Sequence, residues 1–175
     1  MSDERKRTCV VFSIPSEPTG KGRPRFSTFN GHVRAVTPQQ TVLYENLVKT
    51  MYAIQCCGYR FGDDERLEMR IAAYYAIPKS ASKKKRADMI AGIIRPCKKP
   101  DMDNVIKIIA DALNEIAYKD DAQIVDTVVS KFYAEEPHVD VVIRIAEEGE
   151  TIWKKWWLAF RAMLSRNSEM ISTRS

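Results

Sequence analysis

The chain has 175 residues, 45% hydrophobic and 29% charged, with a formal net charge of +5 and a pI near 9.0, values that suit one globular domain with its own core. No apolar run reaches the roughly 18 residues of a membrane helix, and no signal-peptide pattern opens the chain, so a cytoplasmic protein with no membrane partner is expected. The four cysteines, Cys9, Cys56, Cys57 and Cys97, lack CxxC spacing, which argues against zinc and for buried, reduced thiols.

Residues 8–14 (TCVVFSI) read as a first strand, rich in β-branched and aromatic side chains. Pro15 to Arg25 is loop-like, with two glycines and two prolines in EPTGKGRPRF. Between Phe26 and Val36 the pair Asn30-Gly31 predicts a short hairpin with a two-residue turn. Thr37 as N-cap and Pro38 at the first helical position open a helix to about Cys57. Its expected buried face is Val42, Leu43, Leu47, Met51 and Ile54.

Leu67, Met69, Ile71, Ala73, Tyr75 and Ile77 alternate, predicting a strand over 67–77 with one face inward. Ser80 or Ser82 starts a basic helix through about Gly92. Pro100 disfavours helical geometry at Lys99 and begins an extended approach. The next helix, roughly 103–117, buries Val105, Ile109, Ala112 and Ile116, with Ile106 and Leu113. Strands near 123–134 and 138–146 follow, joined by a turn at Glu136-Pro137. There is no internal repeat. The order is mixed α+β, not strict βαβ alternation.

The C-terminal stretch differs in character. Trp153, Trp156, Trp157 and Phe160 recur at helical spacing among Lys154, Lys155, Arg161 and Arg166, predicting an amphipathic helix in a segment 150–175 beyond a domain 1–149. Membrane, DNA and a partner are all compatible with it; docking on the domain or across a dimer is the plainer reading.

Charge is unevenly distributed. Lys79, Lys83, Lys84, Lys85, Arg86, Arg95, Lys98 and Lys99 stand against Asp88 alone, and residues 101–126 then hold seven acids against Lys107 and Lys119. Like charges crowded together repel unless an opposite charge binds them, so a polyanion suits the first block and a divalent cation the second. Asp101 and Asp103, two apart in an extended approach, are expected to point to one side. Such hard oxygen ligands suit Mg²⁺ completed by waters and substrate phosphate. Lys107 lies one helical turn after Asp103, and Asp120-Asp121 follow the helix at a turn begun by Tyr118. Each piece also has a plain structural role. Asp103 suits an N-cap, Asp103 and Lys107 an ordinary i,i+4 pair, and Asp120-Asp121 a solvated turn.

The motifs KKPDMDN (98–104), ADALN (110–114) and AYKDDAQIV (117–125) resemble the signature of RusA-type endodeoxyribonucleases, the Holliday junction resolvases of phages and bacteria. GKGRPRF (20–26), TPQQT (37–41) and IPKSASKKKR (77–86) extend the likeness over about 8–146, leaving the aromatic C-terminal helix outside it. The resemblance implies a RusA-like single domain, a mixed sheet packed by helices. It implies that Asp101, Asp103 and Asp121 are catalytic metal ligands and Lys107 the active-site lysine, with Asn104 and Asp120 in support. It further implies a homodimer acting on four-way junctions with Mg²⁺, Mn²⁺ able to substitute, near the nucleoid of a bacterium or encoded by a prophage. Two-fold symmetry suits paired nicks in strands of like polarity.

The expected DNA-contacting residues are Lys21, Arg23 and Arg25 in the first loop, Lys83, Lys84, Lys85 and Arg86, and Lys98 and Lys99; the alternative is a solvated face. Phe26 and Phe29 read either as wedges between bases or as packing. A broader nuclease for flaps, forks or single strands, and a non-catalytic junction-binding protein, are the competing functions.

Overall fold

A computed structural model of the chain describes residues 7–29 and 32–146, with the backbone alone within 25–29 and 32–35. The Asn30-Gly31 turn and the aromatic helix expected over 150–175 lie outside the described residues, as do the side chains of Arg25, Phe26 and Phe29. The elements run β1 (Cys9–Ile14), β2 (Arg25–Phe29), β3 (His32–Val36), α1 (Gln39–Cys56), β4 (Leu67–Ala76), α2 (Lys83–Ile90), α3 (Met102–Leu113), a 3-10 turn (Asp121–Gln123), β5 (Ile124–Ala134) and β6 (His138–Ile145). Strands β2 and β3 pair from Arg25↔Val36 to Phe29↔His32, the predicted hairpin.

The main sheet has the order β1-β6-β4-β5. β6 is antiparallel to β1 and β4, whereas β5 runs parallel to β4. The strands β5 and β6, adjacent in sequence, therefore do not form a hairpin; they flank β4 on opposite sides. A parallel pair cannot be joined by a tight turn and needs a long crossover. That crossover, residues 77–123, contains α2, α3 and every acid singled out in the sequence. Topology thus gathers the candidate chemistry into one connection.

Alternation decides which sheet face is buried. Val10, Phe12 and Ile14 from β1, Leu67, Met69, Ile71, Ala73 and Tyr75 from β4, and Val139, Val141 and Ile143 from β6 form the core. Helices α1 and α3 complete it. From α3, Val105, Ile108, Ile109 and Leu113 are fully enclosed, each burial contributing about 1.5–3 kcal/mol. Tyr52 meets Phe12 edge-on, with ring centroids 5.3 Å apart. The opposite sheet face carries Glu68, held by Arg70 and Arg144, and Tyr74 stacked between Phe132 and His138.

Four expectations need correction. The buried face of α1 is Thr41, Tyr44, Val48, Tyr52 and Cys56; Leu47 and Met51 pack only partly, and Val42, Leu43 and Ile54 are exposed. Tyrosines share that stripe because their rings fill the space against β1 and α3, which a purely apolar count overlooks. Helix α1 also starts one residue later than expected: Pro38, extended at ψ 137°, occupies the N-cap position, and Thr37 precedes it. Helix α3 stops at Leu113, because Asn114 leaves helical geometry and Glu115 is left-handed at φ 62°. Ile116 then packs from a turn closed by amides 116 and 117 on the Leu113 carbonyl. Finally, only Cys56 is buried among the free thiols; Cys9, Cys57 and Cys97 are exposed.

Helix α2 follows the sequence more closely. Ser82 caps it, accepting from the Lys85 amide at 3.4 Å, and Gly92 beyond its end takes the left-handed φ of 74°.

Candidate active site

The extended approach expected from Pro100 does not form: the chain bends at Lys99 and Pro100, and only Asp101, at the N-cap position of α3, is extended, at φ −68° and ψ 153°. The helix begins at Met102, one residue before Asp103, so the two aspartates do not share the extended geometry expected of them. Asp103 lies in the first helical turn, and the Asn104 side-chain amide approaches its carboxylate at 3.5 Å. Neither aspartate caps α3 with its side chain, and neither is ion-paired among the described residues. Both are exposed. Lys107 is exposed one turn further and makes no ion pair with Asp103.

The other end of the constellation is set by the turn after α3. Asp120 accepts from the Ala122 amide at 2.8 Å and so starts the 3-10 turn that carries Asp121. Gln123 ties this turn to the preceding loop, donating to the Gly62 and Glu65 carbonyls at 2.8 and 3.0 Å and accepting from the Lys119 amide. Partial burial, then the charges of Asp111 and Asp120, push the Asp121 carboxyl above its ordinary value. The turn thus comes back to Asp111, two helical turns and about 12 Å along α3 from Asp103. Among the described residues no three His, Cys, Asp or Glu converge as a ready-made metal cage.

Asp111 is a functional candidate the sequence reading passed over, although it sits inside the ADALN motif. The signal was its spacing: Asp103, Lys107 and Asp111 recur every fourth residue and so lie along one face of α3. Lys21 bridges Asp111 and Glu45 of α1, at 2.7 Å from each. Partial burial alone would lower the Lys21 ammonium, but the hydrogen bonds to Asp111 and Glu45 outweigh it and hold it above its ordinary value. Lys131 of β5 was also missed. Its ammonium donates to the carbonyls of Lys98 and Pro100 at 2.9 and 2.6 Å, bracing the segment just before Asp101.

The basic candidates separate into two groups. Lys83, Lys84 and Lys85 are exposed on α2, and Arg86 beside them is held by Glu135 through paired hydrogen bonds. Lys98 pairs with Glu17 at 2.9 Å. Arg23 and Lys99 line a cavity of about 650 Å³ whose wall also includes Asp101. Acid and cation therefore meet on one surface. The donor set suits a divalent cation, since the carboxylates are hard, exposed and without cationic partners at Asp101 and Asp103. Mg²⁺ needs only one or two of them, with water and phosphate completing its shell. No helix among the described residues is long and apolar enough to cross a membrane.

Residues 15–144 match the family model described as endodeoxyribonuclease RusA. The chain is also 41% identical over 140 residues to the uncharacterised protein YqaN of Bacillus subtilis (strain 168), an alignment covering 78% of this chain and 96% of that protein.

Proposed function

Because the chain belongs to the RusA endodeoxyribonuclease family, we propose that it is a metal-dependent, structure-selective nuclease that resolves four-way DNA junctions by paired symmetric nicks. The observation that carries this reading is the placement of Asp101 on the same cavity wall as Arg23 and Lys99. Carboxylates beside cations suit a phosphodiester that must be both held and hydrolysed.

Asp101 and Asp103 are the residues that would hold Mg²⁺, with Mn²⁺ able to substitute; Asp121, which joins no three-acid cluster among the described residues, would have to move toward them to complete the set. When bound, the ion supplies an activated water and neutralises charge on the phosphoryl oxygens. The chain's own groups do the rest. Lys107 projects a positive charge where the transition state gains negative charge. Asn104 orients the Asp103 carboxylate, and Asp120 fixes the turn bearing Asp121. Lys83, Lys84 and Lys85 supply sequence-independent phosphate contacts. A homodimer would present two such sites to a junction, and the exposed Val42, Leu43 and Ile54 of α1 are compatible with association.

The test is cleavage of a labelled four-way junction beside a matched linear duplex, with Mg²⁺ and with EDTA. Paired nicks near the crossover, only with metal and only on the junction, are expected. Equal cleavage of both DNAs would make the protein a general nuclease. Asp103→Asn should abolish cleavage while junction affinity stays or rises, because a negative charge near phosphate is lost; surviving cleavage would remove Asp103 from the chemistry.

A further inference from the structure

Helix α2 ends in a hydrogen-bonded knuckle that leaves two isoleucines in water. Gly92, left-handed at φ 74°, closes the helix; its amide donates to the Met89 carbonyl at 3.1 Å, and the Ile93 amide to the Asp88 carbonyl at 2.9 Å. In helix endings of this kind the residue after the glycine commonly packs back on the residue whose carbonyl accepts its amide. Here that residue is Asp88, which offers no apolar surface. Ile93 therefore stays 74% exposed, and Ile90 beside it 57%.

The knuckle is fastened to the body from beneath. Met89 is the one buried side chain of α2, and Arg86 is held by Glu135. Gly92 abuts Phe132, whose ring would lie 4.0 Å from a Cβ added there. Arg95 donates to the Lys131 carbonyl and sets its guanidinium over the Phe132 ring, 3.9 Å from the centroid. The Lys131 ammonium in turn holds the Lys98 and Pro100 carbonyls. One stretch of β5 thus carries both the knuckle and the approach to Asp101.

The charge around the isoleucines narrows what can cover them. Lys83, Lys84 and Lys85 are exposed on the same helix, Lys84 lying about 9 Å along its axis from Ile90. A partner for this surface must be apolar at one point and negative around it. Linear duplex DNA is negative, but its stacked bases present no apolar gap. At a branch point stacking is interrupted, and an aliphatic side chain can enter between bases, as apolar wedges do in other DNA-binding proteins. The knuckle's backbone is already fixed, so insertion orders little beyond two side chains.

We propose that Ile90 and Ile93 are a wedge that enters the interrupted base step at a branch point, so that α2 distinguishes branched DNA from linear duplex. Lys83, Lys84 and Lys85 take the flanking phosphates. The wedge rests on the nuclease reading for its substrate and names the residues that select DNA shape.

The test uses the full chain in EDTA, where no strand is cut, and four-way junctions carrying the fluorescent base 2-aminopurine at each position flanking the crossover. Wild type is expected to raise the fluorescence at one position, as that base loses its stacking, and to bind the junction more tightly than a linear duplex. Ile90→Ser/Ile93→Ser should abolish the rise and bind the junction roughly ten-fold more weakly, with duplex affinity unchanged. Both side chains are exposed, so the fold tolerates the change, and Ile90→Leu/Ile93→Leu should restore both signals. A probe that stays silent with wild type at every position, or an equal loss of affinity on junction and duplex, would overturn the wedge. So would a halved mass of the serine variant in sedimentation with its junction preference intact, which would place the isoleucines between two copies of the chain. A parallel cleavage assay in Mg²⁺ keeps the two readings apart. No cleavage of any DNA, with the fluorescence response intact in EDTA, would overturn the nuclease and leave the wedge standing; junction cleavage with a silent probe would do the reverse.

Discussion

Gly20 has no room for a side chain: a Cβ there would lie 2.6 Å from the Pro100 Cβ and 3.1 Å from the Asn104 Cβ. Those two residues flank Asp101 and Asp103, so Gly20→Ala must push the start of α3 or the loop aside. Overpacking of this kind costs about 1–3 kcal/mol. A catalytic group misplaced by about 1 Å loses on the order of 100-fold in rate. Thermal denaturation and junction cleavage of Gly20→Ala should show a modest fall in Tm and a much larger fall in rate; unchanged cleavage would detach this loop from the chemistry. Glu68 invites a different experiment. Burial pushes its carboxyl up, but Arg70 and Arg144 outweigh that and hold it below the ordinary value. A carboxyl depressed by folding stabilises the native state above its unfolded pKa and loses that contribution as pH falls through the folded one. Glu68→Gln should therefore cost about 2 kcal/mol near neutral pH. The Tm difference from wild type should close below about pH 4, which denaturation scans across pH would reveal.

Helix α3 joins core and site, one face enclosed and the other carrying Asp103, Lys107 and Asp111. Its C-terminal half is locked by a hydroxyl: Tyr118 donates to the Ala110 carbonyl at 2.9 Å in the interior. Tyr118→Phe leaves that carbonyl with an unmatched lone pair, and denaturant unfolding should show a loss of about 1–2 kcal/mol. The opposite end is braced from β5 by Lys131. Lys131→Met frees the carbonyls on either side of Lys99, so the turnover rate should fall while junction affinity in EDTA is nearly unchanged. A fall in affinity instead would make Lys131 a DNA contact. The periodicity of α3 was legible because its apolar spacing is strong, whereas its end was not. Nothing apolar changes at Asn114; the helix stops because the backbone turns left-handed at Glu115. In α1 the weakly segregated pattern misled, since Tyr44 and Tyr52 outcompeted Val42, Leu43 and Ile54 for the core.

For the molecule as a whole, a basic chain acting on a polyanion should bind with strong dependence on salt. Each phosphate neutralised contributes a slope of about −0.9 in log affinity against log salt for duplex DNA. Replacing Lys83, Lys84 and Lys85 together with glutamine should make that slope shallower by roughly three in a fluorescence-anisotropy titration; an unchanged slope would leave α2 outside the DNA surface. The sequence by itself determined the element types, the mixed α+β class, the inward face of β4 and the family, because alternation, turn residues and motif spacing are local signals. Tertiary structure alone decided how distant segments meet. The parallel pairing of β4 with β5 turns residues 77–123 into a crossover. That crossover brings Asp121 back to Asp111, sets Lys131 under the approach to Asp101, and opens a cavity between the 18–23 loop and the starts of α1 and α3. Lys21 shows the reason most directly. In sequence it is one more cation in a basic loop, yet in the fold two carboxylates from separate helices claim its charge. Partners that lie 24 and 90 residues away leave no periodic trace in the chain; only burial and packing choose them.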